Sequence, residues 1–220
     1  MPKVSQEYLN IRRAEILDAA IVCFSRDGFH GTTIKDIVRE SGLSPGAIYN
    51  YFHSKEDIIE AIANRRQAKE RELVTEAITD APSVTALERV RDAFLDELES
   101  PKERLRRRVS VQLWAEAQRS PDIRKVVRRS FEEPRKLLGE VLLEAQRQGA
   151  IADWADPDAL ACFVIAVFHG LVLQREWNSR FSVEAQKTLF DVLLKAMAAD
   201  PKESQTKASG YRSISSSAQL

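Results

Sequence analysis

The 220-residue sequence contains little cysteine, glycine or proline, and each shortage excludes a class of structure. Two cysteines, Cys23 and Cys162, are too few for a disulfide framework. Both lie among apolar residues, so we expect two reduced, buried thiols. Eight glycines and eight prolines are few for a turn-rich β fold and suit long helices. No segment alternates convincingly with period two, so the predicted fold class is all-α.

Net charge and histidine are also scarce. The chain has 33 basic and 33 acidic residues, so its overall charge gives no support for binding to nucleic acid. Its three histidines, His30, His53 and His169, lack the spacing of metal ligands. No nucleophile, acid–base pair or phosphate-binding glycine loop accompanies them. We therefore expect no catalytic residues, metal or cofactor, and an enzyme is disfavoured.

The sequence also lacks a clear membrane segment. Its N-terminus has no apolar core of the kind found in signal peptides. The longest apolar stretch, residues 159–173, is interrupted by His169 and Gly170 and is shorter than the roughly 20 residues that a membrane-spanning helix needs. We expect a helix buried within protein, and a cytoplasmic location.

Helical periodicity and capping residues divide the chain into segments. A flexible arm, residues 1–8, precedes a helix that starts near Tyr8 and stops at Gly28. Serine or aspartate stands before proline at Ser100, Ser120 and Asp156, a pattern typical of helix starts. A serine-rich tail, residues 200–220, is predicted to be disordered. The other predicted helices cover residues 33–41, a short segment from Ser44, 56–79, 85–99, 102–119, 122–148, 157–178 and 183–199.

Residues 31–55 carry the strongest functional pattern. Two short helices are separated by a tight turn at Gly42, and a long helix follows. Residues 41–55 contain no carboxylate, as a surface that lies against phosphates requires. A second helix presented in this way fits the major groove of DNA while the first crosses the backbone. The core that sets the angle between the two helices is predicted to contain Ile37, Val38, Leu43, Ile48 and Phe52.

Residues 9–60 resemble the DNA-binding domain of the TetR family of bacterial repressors. The resemblance rests on the spacing of Thr33, Ile37, Gly42, Ile48, Tyr49, Tyr51, Phe52 and Lys55. It implies an N-terminal three-helix helix-turn-helix domain at residues 9–55. A larger helical domain for ligand binding and dimerisation would follow at residues 56–199, with 56–79 as the connecting helix. The DNA contacts that it implies are Thr33, Lys35, Ser44, Pro45, Gly46, Ala47, Tyr49, Asn50, Tyr51, His53 and Lys55.

Some of these residues have a structural interpretation as well. Thr33 can serve as a helix cap, and Tyr49 or Tyr51 can belong in part to the small core. The reading positions Pro45 to Ala47 offer no long polar side chain. Sequence readout would then depend on methyl contacts, Lys35, Asn50 or DNA shape.

The resemblance also implies a small-molecule pocket behind the DNA-binding domain and a dimer built from the last two helices. For the aromatic pocket candidates an ordinary core position is the commoner interpretation. Those candidates are Phe94, Leu98, Leu113, Trp114, Phe131, Phe163, Phe168, His169 and Trp177. The dimer candidates are Gly170, Leu189, Phe190, Leu193, Leu194 and Met197.

Residues 101–136 hold twelve lysines or arginines against five acidic residues. A solvated face is the simpler interpretation. The sharper hypothesis is that one or two of these arginines bind an anionic ligand.

The function that the resemblance implies is a homodimeric repressor that binds a palindromic operator in double-stranded DNA. A small hydrophobic or amphipathic effector would release it by tilting the helix at residues 56–79, which changes the spacing of the two recognition helices. The alternatives are a ligand-independent architectural or nucleoid-associated protein of the same fold and a helical ligand carrier with a vestigial DNA-binding domain.

Overall fold

The computed structural model describes residues 5–79, 83–178 and 180–198, and over these ranges it contains helices and no β-strand. The all-α prediction is confirmed. A single turn of 3-10 helix, Pro101–Glu103, precedes α6, and one isolated bridge pairs Ile151 with Ala198. The helices are α1 (Gln6–Gly31), α2 (Ile34–Ser41), α3 (Pro45–Tyr49), α4 (Lys55–Ile78), α5 (Ser83–Glu99), α6 (Arg104–Glu116), α7 (Pro121–Arg147), α8 (Pro157–Trp177) and α9 (Val183–Met197).

Helix starts follow the capping residues of the sequence. Thr33 and Asp36 form a capping box on α2, in which each side chain accepts a hydrogen bond from the other residue's backbone N–H. Ser120 and Asp156 cap α7 and α8, and a proline takes the first helical position after each. Ser100 differs, because its side chain makes no cap hydrogen bond and a 3-10 turn follows it.

The first helix begins earlier than predicted, and its helical backbone is interrupted at Gly28, where the sequence predicts that it stops. It begins at Gln6 with Ser5 as the N-cap, two residues before Tyr8, and it continues past Gly28 to Gly31. Gly28 has φ = 74° and interrupts the helical backbone inside this run, a conformation that glycine adopts without strain. The remainder of the predicted arm, residues 1–4, and the predicted tail, residues 200–220, lie outside the described residues.

One apolar cluster, here called the shared core, joins the N-terminal helices to the domain behind them. Phe24 of α1, Ile37 of α2 and Ile48 of α3 are fully buried in it. The same cluster contains Leu113 of α6 and Val126 of α7. Because α1 packs directly on α6, and α2 packs on α1, the shared core connects the N-terminal helices to α6 and, through α6, to α7.

The two cysteines differ in exposure. Cys23 is fully buried in the shared core, and burial raises the pKa of its thiol. Cys162 is exposed, so the expectation of two buried thiols is wrong for this residue. Its neighbour Ala161 takes the buried face of α8, which leaves position 162 on the outer face.

Candidate DNA-binding and effector sites

The turn between α2 and α3 has the geometry of a helix-turn-helix. Gly42 ends α2 in the left-handed conformation, φ = 67°, and its N–H bonds to the carbonyl of Val38. Ser44 caps α3 through a hydrogen bond from Ala47 N at 3.2 Å. Ile37, Ile48 and Phe52 are buried, and Val38 and Leu43 are half-buried against the same cluster. The residues predicted to set the angle between the two helices therefore do pack together.

Most of the predicted DNA contacts are exposed or partly exposed, and we call these residues together the reading surface. Tyr49 is 49% exposed although it is large and aromatic. Ala47 is half-buried beside it. The remaining exposed members are Lys35, Ser44, Pro45, Gly46, Asn50 and His53.

Three predicted contacts have intramolecular partners. The Thr33 hydroxyl donates to Asp36 Oδ2 at 2.6 Å, which lowers the pKa of Asp36, and Tyr51 is half-buried against the shared core. Lys55 Nζ donates to the carbonyls of Phe29 and Thr32, at 2.6 and 3.1 Å. Lys55 therefore ties the start of α4 to the end of α1, and its ammonium is less available to a phosphate than the sequence suggested.

Five predicted pocket residues meet around a small cavity between α4, α5, α6 and α8, here called the effector cavity. Its volume is about 20 Å³, which is room for about one water-sized group. The structure therefore brings these predicted residues together, and their role as ligand contacts stays a prediction. The predicted residues that line it are Phe94, Leu98, Trp114, Phe168 and His169.

His169 packs among aromatic rings at this cavity. Its ring stacks on Phe131 with centroids 4.0 Å apart and lies 5.1 Å from Trp114. Nδ1 lies 2.7 Å from the carbonyl oxygen of Ile165 and donates to it. Burial is the main cause that lowers the pKa of His169, so the imidazole is neutral at pH 7 with Nε2 as an acceptor.

The sequence analysis missed the charged residues of this cavity. Arg66 and Glu70 of α4 and Glu97 of α5 line it, and Arg66 forms ion pairs with both carboxylates. Burial alone would lower the pKa of Arg66, but the two carboxylates outweigh burial and raise it. The signal available in the sequence was the i,i+4 spacing of Arg66 and Glu70, which usually marks a solvated pair.

Three predicted pocket residues lie elsewhere. Leu113 belongs to the shared core, on the face of α6 that meets the N-terminal helices. Phe163 is 54% exposed and Trp177 is 74% exposed on the outer side of α8. Phe163 nevertheless lines an apolar cavity of about 220 Å³ with part of its side chain, whereas Trp177 lines none of the cavities described below, so Phe163 stays a candidate ligand contact. A helix that is apolar on every side gives no indication of which face turns inward.

Two larger cavities adjoin the effector cavity. An open groove of about 880 Å³ is lined mostly by polar and charged side chains of α4 and α6, and it shares Arg66 and Ser110 with the effector cavity. An apolar cavity of about 220 Å³ lies between α5, α7, α8 and α9 and shares Phe168 with it. The Phe168 ring stacks between Phe94 and Phe190, with centroids at 4.6 and 5.1 Å, and separates the two spaces.

The basic segment 101–136 is largely engaged in intramolecular ion pairs and carbonyl contacts. Arg107, which lines the effector cavity, donates to the carbonyls of Glu97 and Ser100 and pairs with Glu176. Arg124 donates to the carbonyls of Ala117 and Gln118. These contacts give no support to the anionic-ligand hypothesis.

The outer faces of α8 and α9 are apolar and exposed. By length and composition alone, α8 is long and apolar enough to cross a membrane. Only 28% of its apolar window is buried within the chain, so α8 is less buried in the single chain than the sequence predicts. Leu189 and Leu193 of α9 are 57% and 41% exposed, and Val192, which the sequence analysis missed, is 56% exposed. Phe190, predicted to contact a partner, is instead buried against Phe168 of its own chain. Gly170 is exposed, and Leu194 and Met197 are half-buried and line the apolar cavity.

Comparison with family models identifies the class of protein. Residues 16–62 match the model described as bacterial regulatory proteins of the tetR family. Residues 84–199 match the model of the BetI-type transcriptional repressor C-terminal domain. The chain belongs to the TetR family of DNA-binding transcription regulators.

Individual relatives agree with this assignment. An uncharacterized HTH-type transcriptional regulator of Bacillus subtilis (strain 168), YfiR, is 51% identical over 61 residues, which are 28% of this chain and 30% of that protein. The structure of GusR from Salmonella enterica is 26% identical with a TM-score of 0.70, covering 88% of this chain and 99% of that one. A transcriptional regulator from Saccharomonospora viridis, solved in complex with choline, is 26% identical with a TM-score of 0.73, covering 84% and 96%.

The neutral state of His169 predicts a loss of stability in acid. Because its folded pKa lies below the unfolded value of about 6.5, the unfolded chain takes up the proton first as pH falls. Above that pH the ionisation of His169 does not affect the free energy of unfolding, and below it the ionisation lowers this free energy progressively. Denaturant unfolding between about pH 8 and about pH 5 should show a smaller acid loss for His169→Gln than for the parent chain. His53→Gln, at an exposed side chain, is the control. Equal slopes for the parent and His169→Gln would contradict this account.

Proposed function

We propose that the protein is a cytoplasmic homodimeric repressor that binds a palindromic operator and is released by a small amphipathic effector. The observation that carries this proposal is that residues 41–55 contain no acidic residue, hold most of the reading surface, and pack on the shared core through Ile48 and Phe52. Two such segments related by two-fold symmetry would reach successive major grooves, about 34 Å apart or a small multiple of that distance.

The dimer is supported by the exposed apolar faces of α8 and α9. Several large apolar side chains on these faces are more than about half exposed, including Phe163 and Leu189. A contiguous apolar surface of this kind marks a protein–protein interface in soluble proteins. Gly170 lies on the same face of α8, and a Cβ added there would meet nothing within 4 Å. A second copy of the chain can therefore approach α8 closely at this point.

An effector is supported by the effector cavity and its neighbours. Enclosed aromatic walls with a few buried polar groups are the usual architecture of a small-molecule site. A regulator controlled only by its abundance would need no such space. The cavity is bounded by Arg66 and Glu70 of α4, so a ligand there would act on the helix that leads directly from the DNA-binding segment.

The dimer is tested at Gly170. Gly170→Arg should leave the single chain folded, since Gly170 is exposed, a Cβ there meets nothing within 4 Å, and arginine favours helix more than glycine does. In the dimer it places two charges in an apolar interface. Sedimentation equilibrium should give a dimer of the 24.9 kDa parent chain and a monomer for the variant, which should also lose operator binding.

Gln118→Arg, at an exposed site at the end of α6, is the matched control and should stay dimeric. A monomeric parent chain, or a dimeric Gly170→Arg variant, would rule out α8 as the interface.

Operator binding is tested by substituting two lysines, one expected to contact DNA and one expected to stabilise the fold. Lys35 is exposed on α2, so Lys35→Ala should weaken binding to promoter fragments, reduce the slope of log K against log salt by about 1 and leave stability unchanged. Lys55→Met should instead lower the free energy of unfolding by roughly 1.5–3 kcal/mol, because it removes charged hydrogen bonds to two carbonyls.

Gel mobility shifts over a salt series and denaturant unfolding measure the two effects. Lys125→Ala, at an exposed residue of α7, is the control for a simple loss of charge. The operator proposal fails if Lys35→Ala and Lys125→Ala change binding equally, or if the parent chain ignores every promoter fragment at low salt.

A further inference from the structure

Two buried carboxylates of the effector cavity each keep one oxygen without a hydrogen-bond partner. Glu70 Oε1 accepts from Arg66 Nε at 2.7 Å, and Glu97 Oε1 accepts from Arg66 Nη1. Glu70 Oε2 and Glu97 Oε2 are buried and accept no hydrogen bond. The two side chains are only 8% and 9% exposed. A buried acceptor left unpaired costs about 1–3 kcal/mol, and more when charged. Both oxygens therefore call for a donor from outside the chain.

The buried charges around this cavity favour a cation over an anion. Arg66 faces two carboxylates, which leaves one negative charge in excess. Arg107, the other cation of the lining, is offset by Glu176 at 3.4 Å. Arg108 also contacts Glu176, but its side chain is 45% exposed and its charge is screened by solvent. Arg175 lies near Arg107 but outside the cavity lining, and its side chain donates to the carbonyl of Leu98. The remaining titratable group of the lining itself, His169, is neutral.

The cavity-lining groups that remain available for a ligand's hydrogen bonds are acceptors. Glu70, Glu97 and His169 line the same small space, and with Nδ1 bonded to Ile165 the imidazole presents Nε2 as an acceptor. A protonated primary amine carries three N–H donors. The cavity's volume of about 20 Å³ suits a group near the size of a water molecule. A quaternary ammonium is larger and has no N–H to donate.

The walls of the cavity suit the remainder of an amine ligand. Trp114 lines the cavity with an aromatic ring, and such a ring attracts a cation over its face by about 0.5–2 kcal/mol. Phe94 and Phe168 stack on each other and supply an apolar wall. Beyond Phe168 lies the apolar cavity of about 220 Å³, which offers the volume that the effector cavity lacks. The open groove shares Arg66 and Ser110 with the effector cavity and gives a path from solvent.

We propose that Glu70 and Glu97 bind the protonated primary amine of the effector, and that the effector's apolar chain enters the apolar cavity by displacing the Phe168 ring from its stack. This inference rests on the proposed effector response. The ammonium competes with Arg66 for the two carboxylates. Because the pair of Arg66 with Glu97 joins α4 to α5, its loss frees the connecting helix whose first residue is Lys55.

Calorimetry on the full chain without DNA tests the head group. Hexylamine, hexyltrimethylammonium, hexanol and hexanoate carry the same tail and differ only in the head. An alkylamine resembles the lysine side chain, whose ordinary pKa of about 10.4 keeps it cationic at neutral pH. Hexylamine should bind at least about tenfold more tightly than each of the others. Hexanol or hexyltrimethylammonium binding as tightly as hexylamine would overturn the proposal.

Matched variants locate the site. Glu70→Gln and Glu97→Gln should each weaken hexylamine binding by about tenfold or more while leaving hexanol binding nearly unchanged. Glu88→Gln, at an exposed residue of the same helix as Glu97 that lines neither the effector cavity nor the open groove, should have no effect. Unchanged hexylamine affinity in both cavity variants, with their helical circular dichroism intact, would overturn the site. If a variant does not fold, the four-compound comparison on the parent chain still decides.

A gel mobility shift with operator DNA separates this inference from the proposed function. Hexylamine that binds with the expected selectivity and also releases the operator supports both. Binding without release upholds the amine site and contradicts its role as the effector site. Release by compounds without an amine, together with no selectivity for hexylamine, upholds the effector response and overturns the amine site.

Discussion

The shared core is the constraint on which the rest of the structure depends. It joins Phe24, Ile37 and Ile48 of the DNA-binding helices to Leu113 of α6 and Val126 of α7. Side chains in such a core are packed at crystal-like density, so one helix cannot move without its neighbours. The reading surface is therefore an extension of the domain behind it, and a change in that domain reaches the DNA-binding helices through contact.

Two helices connect this core to the effector cavity. In α6, Leu113 faces the shared core while the adjacent Trp114 lines the cavity, and Gln112 Nε2 donates to the carbonyl of Phe24 at 2.9 Å. In α4, Lys55 fixes the N-terminal end to α1, and Arg66 lies at the cavity. The sequence pointed to α4 alone as the transmitting element, whereas α6 also connects the DNA-binding helices to the cavity.

Local sequence signals predicted most of the fold because they act locally. Capping residues such as Thr33 and Asp156 mark helix starts by satisfying N–H groups within one turn, and Gly42 and Gly149 adopt the positive φ that their positions favour. The sites depend on which face of a helix turns inward, and this is settled by tertiary packing. The direction of Phe163 on α8 was therefore not predictable from a helix that is apolar on every side.

Charged residues of the effector cavity escaped prediction for a related reason. A glutamate on a polar helix is exposed in most proteins, and nothing in the neighbourhood of Glu70 indicates burial. Its environment is created by Glu97 of α5 and by Trp114 and His169, which are remote in sequence. The aromatic members of the cavity were predictable because large apolar side chains are buried by default. The carboxylates were found only once the helices were assembled.

Hydrogen exchange measured by mass spectrometry on a Leu113→Ala variant tests most directly whether the shared core couples α6 to the DNA-binding helices. Truncating this buried leucine to alanine lowers the free energy of unfolding by about 2–5 kcal/mol. The helices that contact Leu113 should therefore exchange their amide hydrogens faster. Leu138→Ala, in a separate cluster under α8, is the matched control. The account predicts faster amide exchange in α2 (Ile34–Ser41) as well as in α6 for Leu113→Ala, and no change in α2 for the control. Exchange that rises only in α6 and α7 would contradict it.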